Sequence, residues 1–258
     1  MITGKPTYSV LTSLSTAVLI LGLICSCKKA EDRSCFKMAG EVHAIEFNVA
    51  HFDKLHLKEH VSFYLVQDTV EKVVLHGGKN LLNMIRVDVN PDNKVMTVSN
   101  ENRCRFLRYK TNDIIAYIHF IDLKRILFEG TDSLCNTGVI NVDQIEITTN
   151  NGAGSIKLNI NANTINSINL KGWSDCNFNG ECNYFRSEIH GNASFNSLDL
   201  HVNDSITVIS NSDILSKINT QGSKLKVELS GIGDLWYYGL PSEIVKKEYN
   251  SGRLIDKN

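Results

Sequence analysis

This sequence has little proline, almost no net charge and no long apolar run beyond its first 24 residues. Only three prolines occur in 258 residues. Because proline cannot donate to a strand ladder, ladders in this chain are rarely interrupted. The formal net charge is −1, so there is no electrostatic footprint for a nucleic-acid partner. A phosphate-cradling glycine loop, a Cys-x-x-Cys pair with zinc spacing and a nucleophile elbow are all missing. After Asn100 no run of about ten residues repeats at helical spacing. Nothing in the chain calls for a cofactor or a metal.

What the chain does have is a repeat. The pattern Gly-x-x-[Ser/Asp]-apolar begins at Gly130, Gly152, Gly172, Gly191 and Gly231, with a degenerate copy from Ser210 to Ile214. Its polar positions are Ser133, Ser155, Asp175, Ser194, Asp213 and Asp234, in steps of 22, 20, 19, 19 and 21 residues. Short alternating stretches flank each turn: Ile145-x-Ile147, Ile168-x-Leu170 and Leu225-x-Val227-x-Leu229 before, Ile156-x-Leu158-x-Ile160 and Leu235-x-Tyr237 after. Alternation at period two puts one side chain inside and the next outside. A period near 20 with one tight turn per unit describes stacked coils, because a single coil cannot bury its apolar edge alone. The expectation is therefore an all-β parallel β-helix or β-solenoid, with six such turns spanning roughly 25–30 Å. At the corners, Gly supplies positive φ and Ser or Asp bonds the backbone two residues on. The many asparagines, among them Asn159, Asn161, Asn163 and Asn169, fit αL corners or side-chain ladders between coils.

The N-terminus reads as an address. Residues 11–24 are largely apolar and follow Lys5, too short for a comfortable membrane span but laid out as a secretory signal. Ile24-Cys25-Ser26-Cys27 resembles a bacterial lipobox with Cys27 as the lipidated residue. Residues 1–27 are then a lipoprotein signal peptide and 28–41 a tether, and the membrane is a partner through the N-terminal lipid. Lys28-Lys29-Ala30-Glu31-Asp32 is similar to the surface-export tags of Bacteroidota lipoproteins. Beyond Cys27 the chain keeps Cys35, Cys104, Cys135, Cys176 and Cys182, an odd number that cannot all pair internally. Cys176 takes the slot filled elsewhere by Ile156, Phe195 and Ile214, as a small buried hydrophobe.

The first half also reads as strands, near 44–47, 54–57, 61–66, 72–75, 95–98 and 114–118, with a helical turn at 80–85. The series Phe52-x-x-Leu55-x-Leu57, Val61-x-Phe63-x-Leu65-x-Gln67, Val73-x-Leu75-x-Gly77 and Val95-x-Thr97-Val98, closed by Gly231-Ile232-Gly233-Asp234-Leu235-x-Tyr237-x-Gly239-x-Pro241, resembles the auto-transporter adhesin head (GIN) domain of Bacteroidota lipoproteins. The resemblance covers residues 42–241, leaves 242–258 as a polar C-terminal tail, and implies a right-handed β-helix. It brings no established reaction with it.

Several groups compete as sites. His56-Leu57-Lys58-Glu59-His60 spells the inverted zinc-protease motif, which needs a helix; between alternating stretches it reads as exposed strand residues. Asp213 and Asp234, at equivalent corners of successive coils, would stand about 5 Å apart, near the spacing of a retaining glycosidase; the plainer reading is that each caps its turn. Trp173, Trp236 and Tyr238 are expected to project outward, either contacting a ligand or covering the last coil. Arg103, Arg105, Arg108 and Lys110 form a basic cluster that reads as a solvated strand face. The combined expectation is an outer-membrane, surface-exposed lipoprotein without catalytic or metal residues, binding a polysaccharide or protein ligand. Its rivals are a carbohydrate-active β-helix enzyme and a periplasm-facing structural protein.

Overall fold

The computed structural model describes residues 39–102 and 113–258. The signal segment with Cys27, the tether up to Met38, Cys35, Cys104 and the basic cluster from Arg103 to Lys110 lie outside the described residues.

The architecture is a β-solenoid of about seven turns at a spacing near 20 residues. Its column begins with β9 (Leu134–Thr137) and runs through β10 (Ile140–Gly152), β11 (Ser155–Gly172), β12 (Asp175–Gly191), β13 (Ser194–Ser197), β14 (Leu200–Ser212), β15 (Ser216–Asn219), β16 (Lys224–Leu229) and β17 (Leu235–Tyr238). Successive coils pair in parallel, Ile156 on Cys176, Cys176 on Phe195, Lys217 on Trp236. The long strands β10, β11 and β12 bend around corners, so each contributes to more than one face. Inside, like stacks on like: Ile145, Ile165, Phe185, Ile206 and Leu225 form one buried line. Phe185 meets Phe178 and Phe195 edge-on at 5.8 and 5.9 Å.

The start of the solenoid is not in sequence order. β2 (Lys54–Leu57) and β3 (Ser62–Gln67) make a coil. The chain then leaves it through β4 (Lys72–Gly78), the single helical turn α1 (Lys79–Leu82) and β5 (Ile85–Asn90). It returns as β6 (Val95–Asn100) against one side of β2 and β7 (Ile115–Phe120) against one side of β3. Only afterwards do β8 (Arg125–Phe128) and β9 cover the other sides of β2 and β3. The first coil in sequence is thus the second in space. β5 lies antiparallel on β6, β4 antiparallel on β7, and β1 (Val42–Asn48) antiparallel on β4. β5 and β4 cover the parallel edges that the bottom coil would otherwise present, and β1 extends the sheet beyond β4.

At the other end the segment 242–258 carries two strands. β18 (Glu243–Glu248) pairs with β16, and β19 (Leu254–Asp256) with β17, as a further coil. Its inward positions mix apolar with charged residues: Ile244 follows Leu225 and Leu254 follows Leu235, but Lys246 continues the line of Val208 and Val227, Glu248 follows Leu229, and Asp256 follows Tyr237. Lys246 pairs with Glu248 at 3.3 Å, and Glu248 accepts the Leu254 N–H. Inward charge at a terminal coil disfavours further stacking.

Two expectations about register fail. In β11 the inward residues are Ile165, Ser167 and Asn169, while Leu170 is 44% exposed. The ladder imposes this, because Ile145, Ile147 and Thr149 on β10 pair with those three. Hydrophobicity favoured Ile168-x-Leu170, but a one-residue slip would have turned every neighbour inside out. Thr149 Oγ1 donates to Asn169 Oδ1 at 2.5 Å inside the core, while the buried Asn169 Nδ2 has no partner. The fifth turn is also offset by two residues. Ser212, not Ser210, pairs with Gly191. Ser216, not Ile214, stacks between Phe195 and Leu235, and Ile214 is 40% exposed. Ser216 is stable there because its Oγ accepts the Phe195 N–H at 3.2 Å.

Candidate functional site

The corners come first, since they held the strongest sequence signal. Gly172 has φ +117°, and a Cβ on it would lie 2.2 Å from the Gly152 carbonyl oxygen. At Gly231 the same atom would meet the Ser212 oxygen at 2.1 Å. Glycine is required because the backbones of adjacent coils touch at this corner. Ser133, Ser155, Asp175 and Ser194 do stack at successive strand starts. Asp234 shares that line, but its neighbour below is Leu215, and Asp213 sits two residues ahead of it. The expected pair of facing carboxylates at Asp213 and Asp234 is therefore not formed. Nor do these aspartates cap their own turns. Asp175 accepts from Ser194 Oγ at 3.2 Å, Asp213 from the Ile232 N–H at 3.4 Å and Asp234 from the Arg253 N–H at 2.9 Å. Each bonds the coil above, nineteen residues on.

His56 and His60 do not share a face. His56 lies in β2 and its Nε2 is 2.7 Å from Glu129, whereas His60 adopts φ +67° in the following turn and its Nδ1 meets Thr131 Oγ1 at 3.0 Å. The hydrogen bond to His56 holds the Glu129 carboxyl below the usual range, helped by Asn150. Two hollows lie near this end. One, of about 430 Å³, is lined by Asp122, Lys124, Asp143, Gln144, Ile145, Glu146 and Asn166. Lys124 in it is bound to Asp53 at 3.0 Å and Glu146 to Arg125 at 2.9 Å, so half of its charge is committed. The second, of about 370 Å³, lies beside Lys58, Glu59 and Glu129. Two of the described thiols are inert by environment: burial pushes Cys176 and Cys182 up to about 12, far from the thiolate that reacts.

The outer surface carries two ordered features. On one face asparagines ladder between coils at a step of 20: Asn163 to Asn183 at 3.0 Å and Asn183 to Asn203 at 3.1 Å. On the face after each corner the outward residues form one line, Tyr117, Tyr64, Cys135, Lys157, Asn177, Asn196, Lys217, Trp236 and Ile255. Tyr64 stacks on Tyr117 at 5.3 Å and 22°, with His76 edge-on to Tyr117 at 5.4 Å. Trp236 sits between two ammonium groups, Lys217 at 5.6 Å and Lys257 at 4.1 Å from its ring centroid.

Of the three aromatic residues singled out from sequence, Trp173 is 66% exposed at its corner. Trp236 and Tyr238 are half-buried on β17 and lie beneath a further coil, so they do not cover the end of the stack. Trp173 stands three coils from Trp236, roughly 14 Å along the axis, so these residues do not make one patch. Sequence reasoning missed Tyr64, Tyr117 and His76. Tyr64 occupies the outward place in Val61-x-Phe63-x-Leu65, but only the return of β7 beneath β3 puts Tyr117 against it.

The family model described as "Putative auto-transporter adhesin, head GIN domain" matches residues 51–241. The chain belongs to this family. Solved structures of low identity share the fold of this GIN-domain chain. A "putative adhesin" of Bacteroides fragilis is 16% identical, with 84% of this chain and 97% of that one covered and a TM-score of 0.75. A second, from Parabacteroides merdae, is 14% identical over 86% and 98%, with a TM-score of 0.64. A "putative lipid binding protein" of Parabacteroides distasonis is 13% identical over 84% and 97%, at 0.56. No curated protein matches.

Proposed function

We propose that this GIN-domain chain is a non-catalytic, adhesin-like binding module, anchored to the outer membrane through lipid on Cys27 and displayed at the cell surface. The observation that carries the reading is the fate of the corner carboxylates. Asp175, Asp213 and Asp234 are each engaged by the neighbouring coil, and the register separates Asp213 and Asp234, the pair expected at glycosidase-like spacing. What the column offers outside is long, regular lines of asparagine, lysine and aromatic side chains, a surface for contact and not for bond cleavage. The names given to the relatives from Bacteroides and Parabacteroides point the same way.

The rival with a specific observation behind it is a glycan-cleaving enzyme using the hollow with Asp122, Asp143 and Glu146. Incubating the full chain, purified in detergent, with a panel of bacterial and host glycans separates the two. Saturable binding with no shortened product is the expected result. Product release that is lost in Asp143→Asn would replace this reading with the enzymatic one. Anchoring has its own test: Cys27→Ser should abolish the lipid-sized gain in mass and release the protein from membranes. Digestion by protease added to intact cells should remove the domain, and full resistance would move it to the periplasmic side.

A further inference from the structure

The line of outward residues after the corners combines two aromatic stations with uncommitted positive charge. Tyr64 and Tyr117 mark one end, and Trp236 between Lys217 and Lys257 marks the other. Six strand spacings separate Tyr64 from Trp236, roughly 29 Å. Lys157 lies between them on the same line. Several lysines elsewhere are neutralised: Lys54 and Lys124 by Asp53, Lys72 by Glu46, Lys224 by Glu243. Among the described residues Lys157, Lys217 and Lys257 form no ion pair. The indole of Trp236 spaces two of these ammonium groups instead of quenching them, since attraction to a ring face leaves the rest of the ammonium free to bind an anion.

Resting on the binding-module reading above, we propose that this line is the site of a linear anionic polysaccharide. Carboxylate or sulfate groups along the chain pair with Lys217, Lys257 and Lys157, and its sugar units lie against the Tyr64–Tyr117 pair at the far end. The geometry selects for length and for charge. A monosaccharide reaches one station only, whereas an extended polymer lying along the solenoid axis reaches both. It selects against a neutral glycan, because three desolvated ammonium groups would then gain nothing in return. The strand starts beside the line contribute no competing ion pair, since Asp175 and Asp234 are held by Ser194 and Arg253.

The test uses the full chain in detergent, with polygalacturonate and heparin as anionic probes and dextran as the neutral one. Wild type should bind at least one anionic probe, more weakly as salt rises, and should not bind dextran. The double variant Lys217→Gln/Lys257→Gln should lose about tenfold or more in affinity, equal to about 1.4 kcal/mol. Tyr64→Ala should weaken the polymer but leave short oligomers of galacturonate unaffected. Lys226→Gln, on a different outer face, controls for net charge and should change little. Thermal unfolding of each variant checks that it folds. Anionic binding that is equal in wild type and the double variant, or wild-type binding of dextran alone, overturns this site while leaving the binding-module reading intact. Release of shortened galacturonate overturns both.

Discussion

In the column, from β9 to β19, a strand meets partners 19 to 22 residues away, as Leu134 meets Ile156 and Leu235 meets Leu254. In the base, from β1 to β8, Lys54 meets Val95 and Arg125, and Phe63 meets Ala116 and Leu134. Those partners are 41, 71, 53 and 71 residues away. The two regions use the same strand and the same alternation, but they close their edges differently. The base ends in antiparallel strands that fold back over its parallel edge; the column ends in a coil with charged residues at three inward positions. Repeat stacks are held by near neighbours, so damage to one coil should stay near that coil. The base is closed by distant contacts and should respond as a unit.

Core truncation in the base should show the largest effect. Phe63 is fully buried and edge-on to Phe128 at 6.5 Å, and Phe63→Ala should cost about 3–5 kcal/mol by denaturant titration, with amide protection lost throughout β2 to β9. Gly172→Ala forces a contact at 2.2 Å in a positive-φ corner. It should cost about 3 kcal/mol, with hydrogen exchange rising in β11 and β12 while the base stays protected. Equal deprotection of the base would abolish the distinction between the regions. Ending the chain after Ser242 removes β18 and β19, which bury little apolar surface; the loss should be about 2 kcal/mol or less, and Trp236 fluorescence should shift as Lys257 leaves it.

Acid should separate the ends of the molecule from its middle. Burial pushes the Asp53 carboxyl up, but the Lys124 hydrogen bond and the charges of Lys54, Lys124 and Lys94 outweigh it and hold it below the usual range. Asp68 is held down by His119, Glu129 by His56, Glu248 by the Leu254 N–H, and Asp256 by the Asn258 N–H and Tyr237. Folded values below unfolded ones mean stabilisation that is complete above the ordinary carboxylate range and disappears as pH falls through it to the depressed values. Below about pH 4, amides of the base and the last coil should exchange before those of β12 and β14. Uniform exchange would show that these carboxyls do not decide the order. The smallest effect should be favourable: the buried Ser187 Oγ has no partner, and Ser187→Ala should raise stability by about 0.5–1 kcal/mol.

The repeat made the column legible. Gly172 and Gly231 mark places where only hydrogen fits and Gly191 one that needs a positive φ, and such positions survive in sequence. The fifth turn misled because Ser210-Asn211-Ser212-Asp213-Ile214 imitates the motif, while the true corner, Ser212 to Ser216, puts a hydroxyl where the other coils place an apolar residue. A serine whose Oγ accepts a backbone N–H looks polar in sequence and behaves as core in space. Ser167 and Asn169 were hidden behind Ile168 and Leu170 because the ladder with Ile147 and Thr149, not their own polarity, turns them inward. The base was legible as strands, apart from β5 and β8, but not as an order, since nothing local records that β6 and β7 slide beneath β2 and β3. Tyr117 joined the outward line only through that detour, whereas Trp236 could be placed outward from alternation alone.

The constant register of the column also gives the molecule a scale. Any coil inserted between β9 and β17 would raise everything beyond it by about 4.8 Å and add one residue to each outer line, with the base left standing as it is. Reach, and the length of polymer that can lie along the outside, are therefore set by copy number. Evolution can change this protein's measure without redesigning its chemistry.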